Sequence, residues 1–330
     1  MKNRFLHILI LVLCSITTQA QDPQFSQVFA VPLYLGPSFA GATSGTRVVS
    51  NFRDQWPAFN KEYISYSLSF DHYFNKTKSG VGFALFRDQA GIGLMSSTYA
   101  MLQYSYIIDI TRKLQLRPGI EASFNTRSLN YNRIVFGDQL SFDATMPTTV
   151  ETALNKSVSY VDFATSAVLF HPLFWLGFSV HHLTAPNQSL LGGVSKVPIK
   201  ISLYGGRKIP LNNSRMARNR GNNLYVAFEF KRQAQFSQCY TGVYWEYTDF
   251  SIGLWYRGIP FYQTYQSYFN NDAAVIVLSY NFDYFVFGYS YDITTSPLQT
   301  LSSGSHEVSL AFKIITKTKK VWKMIPCPMP

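Results

Sequence analysis

The stretch Ile64-Ser65-Tyr66-Ser67-Leu68-Ser69-Phe70-Asp71 decides the fold. Side chains of an extended chain alternate with period two, so Ile64, Tyr66, Leu68 and Phe70 share one face while Ser65, Ser67, Ser69 and Asp71 share the other. The alternation returns at Leu224, Val226, Phe228 and Phe230 against Tyr225, Ala227, Glu229 and Lys231. It returns again at Val308, Leu310, Phe312 and Ile314 against Glu307, Ser309, Ala311 and Lys313. Alternation alone fits two folds. A soluble sandwich turns the apolar face inward, whereas a transmembrane barrel turns it toward lipid and keeps the polar face, charges included, for a solvated lumen.

Composition separates the two. Hydrophobic residues make up 47% of the chain, aromatic residues 16% and charged residues only 14%, a poor recipe for a water-facing surface. The apolar faces carry large side chains: Leu102, Tyr104, Tyr106 and Ile108 in one segment, and Phe285, Phe287, Tyr289, Tyr291 and Ile293 in another, with Gly288 and Ser290 between. Rings at strand ends match the interfacial girdles of outer-membrane barrels. Beyond the N-terminus the longest apolar run is Ala273 to Leu278, far short of the roughly 18 residues of a spanning helix. Hydrocarbon offers no partner to an unpaired backbone group, which leaves a closed barrel as the way to span. The expected fold class is therefore all-β, a transmembrane antiparallel β-barrel.

Segments of roughly ten residues bounded by turn residues predict about fourteen strands. They fall near 46 to 53, 62 to 74, 79 to 88, 95 to 110, 113 to 129, 158 to 171, 173 to 183, 197 to 210, 222 to 233, 236 to 248, 250 to 259, 272 to 282, 284 to 294 and 303 to 315. An even count puts both termini in the periplasm, with short periplasmic turns alternating with longer outer loops. Thr111-Arg112, Pro172 and Asp283 mark tight turns on one side, and 130 to 157, 184 to 196, 260 to 271 and 295 to 302 are long on the other. The parity stumbles at Asn212 to Gly221, a long basic stretch on the short-turn side. Either a strand is miscounted there or a periplasmic loop is enlarged to meet a partner.

The first twenty residues read as an export signal: basic Lys2 and Arg4, an apolar run from Phe5 to Leu13, and small-residue cleavage after Ala20. A lipoprotein reading of Cys14 is disfavoured by the bulky Leu13 before it. The expected division is a signal peptide at 1–20, a periplasmic or plug segment at 21–45, the barrel at 46–315 and a basic periplasmic tail at 316–330. Cys14 leaves with the signal, and Cys239 and Cys327 alone indicate no disulfide framework. The net charge of +11 falls to about +9 without Lys2 and Arg4, and for an exported chain it points to an anionic envelope surface rather than nucleic acid.

Several strings resemble the PorP/SprF family of the type IX secretion and gliding machinery. Gln21-Asp22-Pro23-Gln24-Phe25-Ser26-Gln27 matches that family's opening, and Leu35-Gly36-Pro37-Ser38-Phe39-Ala40-Gly41 resembles its next motif, with Gly36 for Asn and Ser38 for Ala. Arg53-Asp54-Gln55-Trp56 resembles its Arg-x-Gln-Trp, and Gly80-Val81-Gly82-Phe83 followed by Asp88-Gln89-Ala90-Gly91 its glycine-rich strand and turn. Gly177 to Leu183 with Pro186, His306 to Leu310, and terminal Cys327-Pro328 fit as well, although the closing aromatic residue common in the family is absent. The resemblance implies a multi-pass barrel of the Bacteroidota outer membrane, held in lipid, that works with the type IX translocon. PorP-like members associate with the periplasmic ring lipoprotein, motor proteins and a peptidoglycan-binding partner, and SprF-like members serve a large surface adhesin.

No motif calls for a cofactor or for catalysis. His181 and His182 are adjacent, so a strand points them to opposite faces, one to the lumen and one to the interface, which opposes a shared metal. Gly177-Phe178-Ser179-Val180-His181 lacks the second glycine of a nucleophile elbow, and in Ser305-His306-Glu307 the strand turns the histidine away from both neighbours. Candidate partner contacts are Asp22, Pro23 and Phe25 in a segment that either plugs the lumen or docks on a periplasmic protein, and Arg53 and Trp56, a rim turn or a contact. Arg215, Arg218 and Arg220 in the basic loop, and Lys319, Lys320, Cys327 and Pro328 in the tail, are either solvated or dock on an acidic surface. A pore for small solutes is the competing function.

Overall fold

A computed structural model describes residues 22–43, 45–58, 63–91, 95–140, 156–211, 221–263, 269–282, 284–295, 303–315 and 325–326. The strands are β1 (Gly45–Gln55), β2 (Tyr63–Phe74), β3 (Ser79–Ala90), β4 (Met95–Tyr106), β5 (Ile108–Asp109), β6 (Gln115–Ser128), β7 (Ser157–His171) and β8 (Phe174–His181). They continue as β9 (Lys200–Pro210), β10 (Asn222–Gln233), β11 (Phe236–Tyr247), β12 (Phe250–Gln263), β13 (Phe269–Asn281), β14 (Phe285–Thr294) and β15 (Ser305–Ile315). β5 continues β4 beyond Ile107, whose side chain is buried, and pairs with the start of β6. The barrel thus has fourteen staves, as the periodicity predicts.

Every stave is antiparallel to its neighbours in sequence, and the ring closes where β1 pairs with β15, Val48 opposite Phe312 and Arg53 opposite Glu307. β4 pairs with β6 across Leu102 and Ala122. No edge is left, so each strand's backbone groups are satisfied within the ring, which is the condition for residing in hydrocarbon. Among the described residues no helix is long and apolar enough to cross a membrane.

The direction of the faces excludes a sandwich. Leu68 is 51% exposed, Leu102 60% and Ile120 62%, whereas Arg47, Arg117 and Glu307 are fully buried. Polar inside and apolar outside is the inverse of a water-soluble core. Phe74, Tyr106, Phe174, Tyr247, Tyr280 and Tyr284 stay exposed around the end that carries the short turns, forming one aromatic girdle.

Short and long connections fall mostly at opposite ends, the exceptions being the long β9–β10 connection at the short-turn end and the two-residue β10–β11 connection, Gln233 to Phe236, at the other. His171 and Phe174 are linked by two residues, and Tyr247 and Phe250 likewise, on the end where β1 starts and β15 stops. β9 and β10 pair directly from Pro210 opposite Asn223 to Lys200 opposite Gln233, so no stave stands between them; residues 212–220 lie outside the described residues. The strand count is therefore not at fault there, and the long connection falls on the short-turn end. β1 also runs two residues beyond its predicted end, carried by pairing that lasts to Gln55 opposite Ser305.

The plugged lumen as candidate functional site

A fourteen-strand ring encloses more space than its own inward side chains fill. Here the space is taken by the chain's N-terminal segment. Asp22 stands at the long-loop end, and the segment descends through the lumen to enter β1 at the short-turn end. Both ends of the barrel wall lie where parity puts them, but Asp22 is at the opposite rim, because some twenty residues separate it from Gly45 and cross the whole interior. The descent is made in three short turns, Val28–Ala30, Pro32–Leu35 and Pro37–Phe39. Pro32 and Pro37 open the second and third, where their fixed φ suits a helical start and the missing N–H costs nothing.

Short turns leave backbone groups unpaired, and the lumen's polar face supplies the partners. The Ser26 and Gln27 amides donate to the two carboxylate oxygens of Glu307 at 2.6 and 3.2 Å. Gln103 donates to the Leu33 carbonyl at 2.7 Å, Ser105 to that of Ala40 at 2.8 Å and Arg117 to that of Gly41 at 2.7 Å. The Ser38 amide donates to the Ser166 hydroxyl at 2.7 Å, and the Gly41 amide to Asp71 at 2.8 Å. Asp71 is held in turn by Arg47 at 2.8 Å. Inward charges such as Glu307, expected to sit in solvent, instead grip the plug's main chain.

Apolar packing fills what remains. Phe25 meets Phe86 edge-on at 5.5 Å, Phe29 meets Trp175 at 5.9 Å, and Phe39 lies against Tyr204 at 5.5 Å. Two strand glycines make the approach possible. A Cβ on Gly80 would lie 2.0 Å from the Ala40 carbonyl oxygen, and one on Gly119 2.4 Å from the Ser38 nitrogen, both backbone atoms with no freedom to turn aside.

At the long-loop rim Asp22 is the anchor. Its carboxylate meets Lys200 at 2.7 Å and His182 Nε2 at 2.9 Å, while Gln233 exchanges two hydrogen bonds of 3.0 Å with its backbone and side chain. His182 Nδ1 meets Asp162 at 2.6 Å. His181 and His182 do not face opposite ways as adjacent strand residues should: both are buried, because β8 ends at His181 and His182 takes a φ of 61°, turning its ring back inward. Among the described residues no group of three His, Cys, Asp or Glu side chains is arranged to hold a metal ion.

The electrostatics of this anchor set a pH window. Burial pushes the His182 imidazole toward neutrality, but the Asp22 charge and the hydrogen bonds to Asp162 and Asp22 outweigh it and raise its pKa to about 9. Burial likewise opposes ionisation of Asp22, yet Lys200 and His182 hold its carboxyl well below the usual range. A raised histidine pKa contributes stability that is complete below its unfolded value of roughly 6.5 and is lost as pH climbs through about 9. In a chain with Cys239 and Cys327 changed to serine, the reactivity of Gln24→Cys toward an impermeant thiol reagent, divided by that of an exposed cysteine at the same pH to remove thiolate formation, should rise between about pH 7 and 9.5. His182→Gln should abolish that rise, and a pH-independent ratio in the parent would remove His182 from the anchor.

The sequence candidates separate into three groups. Asp22, Pro23, Phe25 and Arg53 are brought together inside the barrel. The predicted rim turn at Arg53 is replaced by an inward strand position, since β1 continues past it. Arg53 donates to the Ser26 hydroxyl and meets Asp292 at 3.0 Å and Glu307 at 3.5 Å. Trp56 is half-buried at the long-loop rim, with φ 59°, its amide donating to Gly304 and its ring edge-on to Tyr63 at 5.7 Å. Arg215, Arg218, Arg220, Lys319, Lys320, Cys327 and Pro328 lie outside the described residues. Between the last of these, Ile325 is buried in the cluster that contains Phe29, Phe39 and Trp175. Sequence reasoning missed Asp162, His182, Asp292 and Glu307 as plug anchors and Gly119 as its seat.

Above the plug, at the long-loop end, lies a chamber of about 1090 Å³. Its floor is Phe25, Val28 and Val31, and its wall includes Trp56, Tyr63, Glu229, Lys231, Phe236 and Arg257.

Solved structures similar to this chain include the P. putida toluene transporter TodX, at 12% identity over 91% of this chain and 97% of that one, with a TM-score of 0.46. The Acinetobacter baumannii outer membrane protein Omp33 aligns at 10% identity over 83% and 100%, with a TM-score of 0.43. The KdgM porin aligns at 8% identity over 81% and 99%, with a TM-score of 0.37. No curated protein matches the sequence significantly. The family model described as type IX secretion system membrane protein PorP/SprF matches residues 17–312, nearly the whole chain and every motif on which the resemblance was drawn except the terminal Cys327-Pro328. With its inverted polarity and closed ring, this outer-membrane β-barrel belongs to the PorP/SprF family of type IX secretion system membrane proteins.

Proposed function

We propose that the protein is a non-enzymatic component of the type IX secretion system whose barrel is an anchor and whose end surfaces do the work. The observation that carries this reading is the filled lumen: a segment tied to the wall by side-chain bonds along its whole length suits a fixed support better than a conduit. A pore for small solutes would require that segment to leave. Export by a signal cleaved after Ala20 agrees with an Asp22 that is second in the mature chain and threaded into the barrel, since a retained signal would have to emerge at the same rim.

The working surface in this proposal is the basic short-turn end, periplasmic by strand parity. Arg215, Arg218 and Arg220 in the enlarged loop and Lys319 and Lys320 in the tail would meet acidic faces of the ring lipoprotein, motor proteins or peptidoglycan-binding partner, or support export and surface attachment of a large adhesin. Changing the three arginines to alanine, and separately the two lysines, should leave heat-modifiable barrel in the outer membrane but abolish release of type IX clients in at least one set. Normal secretion from both variants would take the function away from that end.

A further inference from the structure

The chamber above the plug is lined by carboxylates and cationic side chains in balance, and most of them are already matched. Asp22 pairs with Lys200, Arg257 with Asp272 at 2.5 Å, and Asp88 accepts from Ser65 at 2.6 Å. Glu229 and Lys231 are different. Both project from β10 onto the chamber wall; neither is engaged by a direct hydrogen bond or ion pair with a described residue, and the two charges attract one another along the strand. Beside them, Arg257 Nη1, Gln238 Oε1 and His181 Nε2 are buried polar atoms that also lack a partner. Arg257 is 5% exposed and His181 8%. Unpartnered buried donors and acceptors cost free energy unless a ligand or water completes them.

The other side of the chamber is apolar. Trp56 and Tyr63 stand edge-on to one another, and Phe25, Val28 and Val31 of the plug form the floor. The volume lies at the upper end of the roughly 300–1,000 Å³ of small-ligand sites. Balanced charge opposes a polyanion and a bare cation alike. What complements a neighbouring carboxylate and ammonium that no direct bond engages, together with an aromatic wall, is a zwitterion with an apolar body. Two residues of strand rise put Glu229 and Lys231 about 6.7 Å apart at their Cα atoms, which is also about the reach between the charged ends of an extended dipeptide.

We propose that this chamber is a peptide-binding site, in which Glu229 takes an ammonium group, Lys231 and Arg257 a carboxylate, and the Trp56–Tyr63 wall an apolar side chain. The site does not depend on the secretion role: it would stand if the short-turn surfaces proved idle, and it could fail while they proved essential.

The full chain in detergent can be titrated calorimetrically with the dipeptide Leu-Phe, with its N-acetylated amide, and with Leu-Phe against Glu229→Gln and Lys231→Met. Leu-Phe should bind saturably, and removing either charge, from the ligand by capping or from the protein by substitution, should weaken it about tenfold or more, the effect of one lost charged hydrogen bond. The capped peptide makes the subtraction even where a variant does not assemble. No binding of Leu-Phe up to 10 mM, roughly the weakest affinity worth calling a site, overturns the proposal. Equal affinity for charged and capped peptide does so too, since it would leave an apolar pocket without charge recognition.

Discussion

Replacing Gly119 by leucine should open the barrel. The Cβ alone would lie 2.4 Å from the Ser38 nitrogen and 2.5 Å from the Pro37 carbonyl carbon, so something must move. Gly119 is fixed by ladders on both sides, opposite Ser105 of β4 and Ser166 of β7, in a ring closed all round. The plug at this point is held by single bonds to Ser166 and Ser105, each worth about 0.5–1.5 kcal/mol, against the roughly 1–3 kcal/mol cost of forcing extra methylenes into packed space. The plug should yield first. In planar bilayers the parent should be silent and Gly119→Leu should give discrete conductance steps, with uptake of large hydrophilic antibiotics in cells. A silent, folded variant would mean that the segment is not what blocks the lumen.

Changing Arg53 to methionine should cost more than any lipid-facing or loop substitution. Arg53 is buried at the junction of three parts: Ser26 of the plug, Asp292 of β14 and Glu307 of β15. Removing it strands Glu307, whose oxygens also receive the Ser26 and Gln27 amides. Breaking one partner of a buried ion pair costs about 3–5 kcal/mol, because the remaining charge is left without compensation. Asp292 keeps Arg257 at 3.0 Å, so Glu307 carries most of the penalty. The double variant Arg53→Met, Glu307→Met should therefore recover part of the loss in chemical-unfolding midpoint. If the double variant is as unstable as the sum of both singles, the two side chains do not act as a pair.

The outward half of the fold was legible because lipid imposes one simple demand on every second residue. Leu68, Leu102, Phe228 and Phe312 follow it without exception, and the fourteen segments, the closing pair and the aromatic girdle follow from it. The inward half was less legible. A serine or charged residue facing a lumen looks the same whether it meets water or the main chain of a plug, so Ser105, Ser166 and Glu307 gave no hint of their partners. Arg53 was misplaced by a strand end drawn two residues short. His182 broke the alternation through a left-handed backbone that nothing in the residue type demands. One clue was present and unused: Gly119 and Gly80 sit in strand interiors, where glycine marks close approach of another backbone. The density of apolar Phe25, Phe29, Leu33 and Phe39 left a plug and a periplasmic docking segment as equal alternatives, and nothing in it gave their seats.

The central claim is that the N-terminal segment occupies the lumen in the assembled protein. Gly36 offers the most direct test, since a Cβ there would lie 3.1 Å from that of Ser166 and its backbone is extended, free of strain for a side chain. With Cys239 and Cys327 as serine, Gly36→Cys with Ser166→Cys needs only a few tenths of an ångström to reach the about 3.5–4.5 Å of a disulfide. Mild oxidation of intact outer membranes should close a loop from 36 to 166 in nearly every molecule, seen as a reducible mobility shift of the unfolded chain. Free thiols at both positions in a barrel that still migrates as folded would contradict the account.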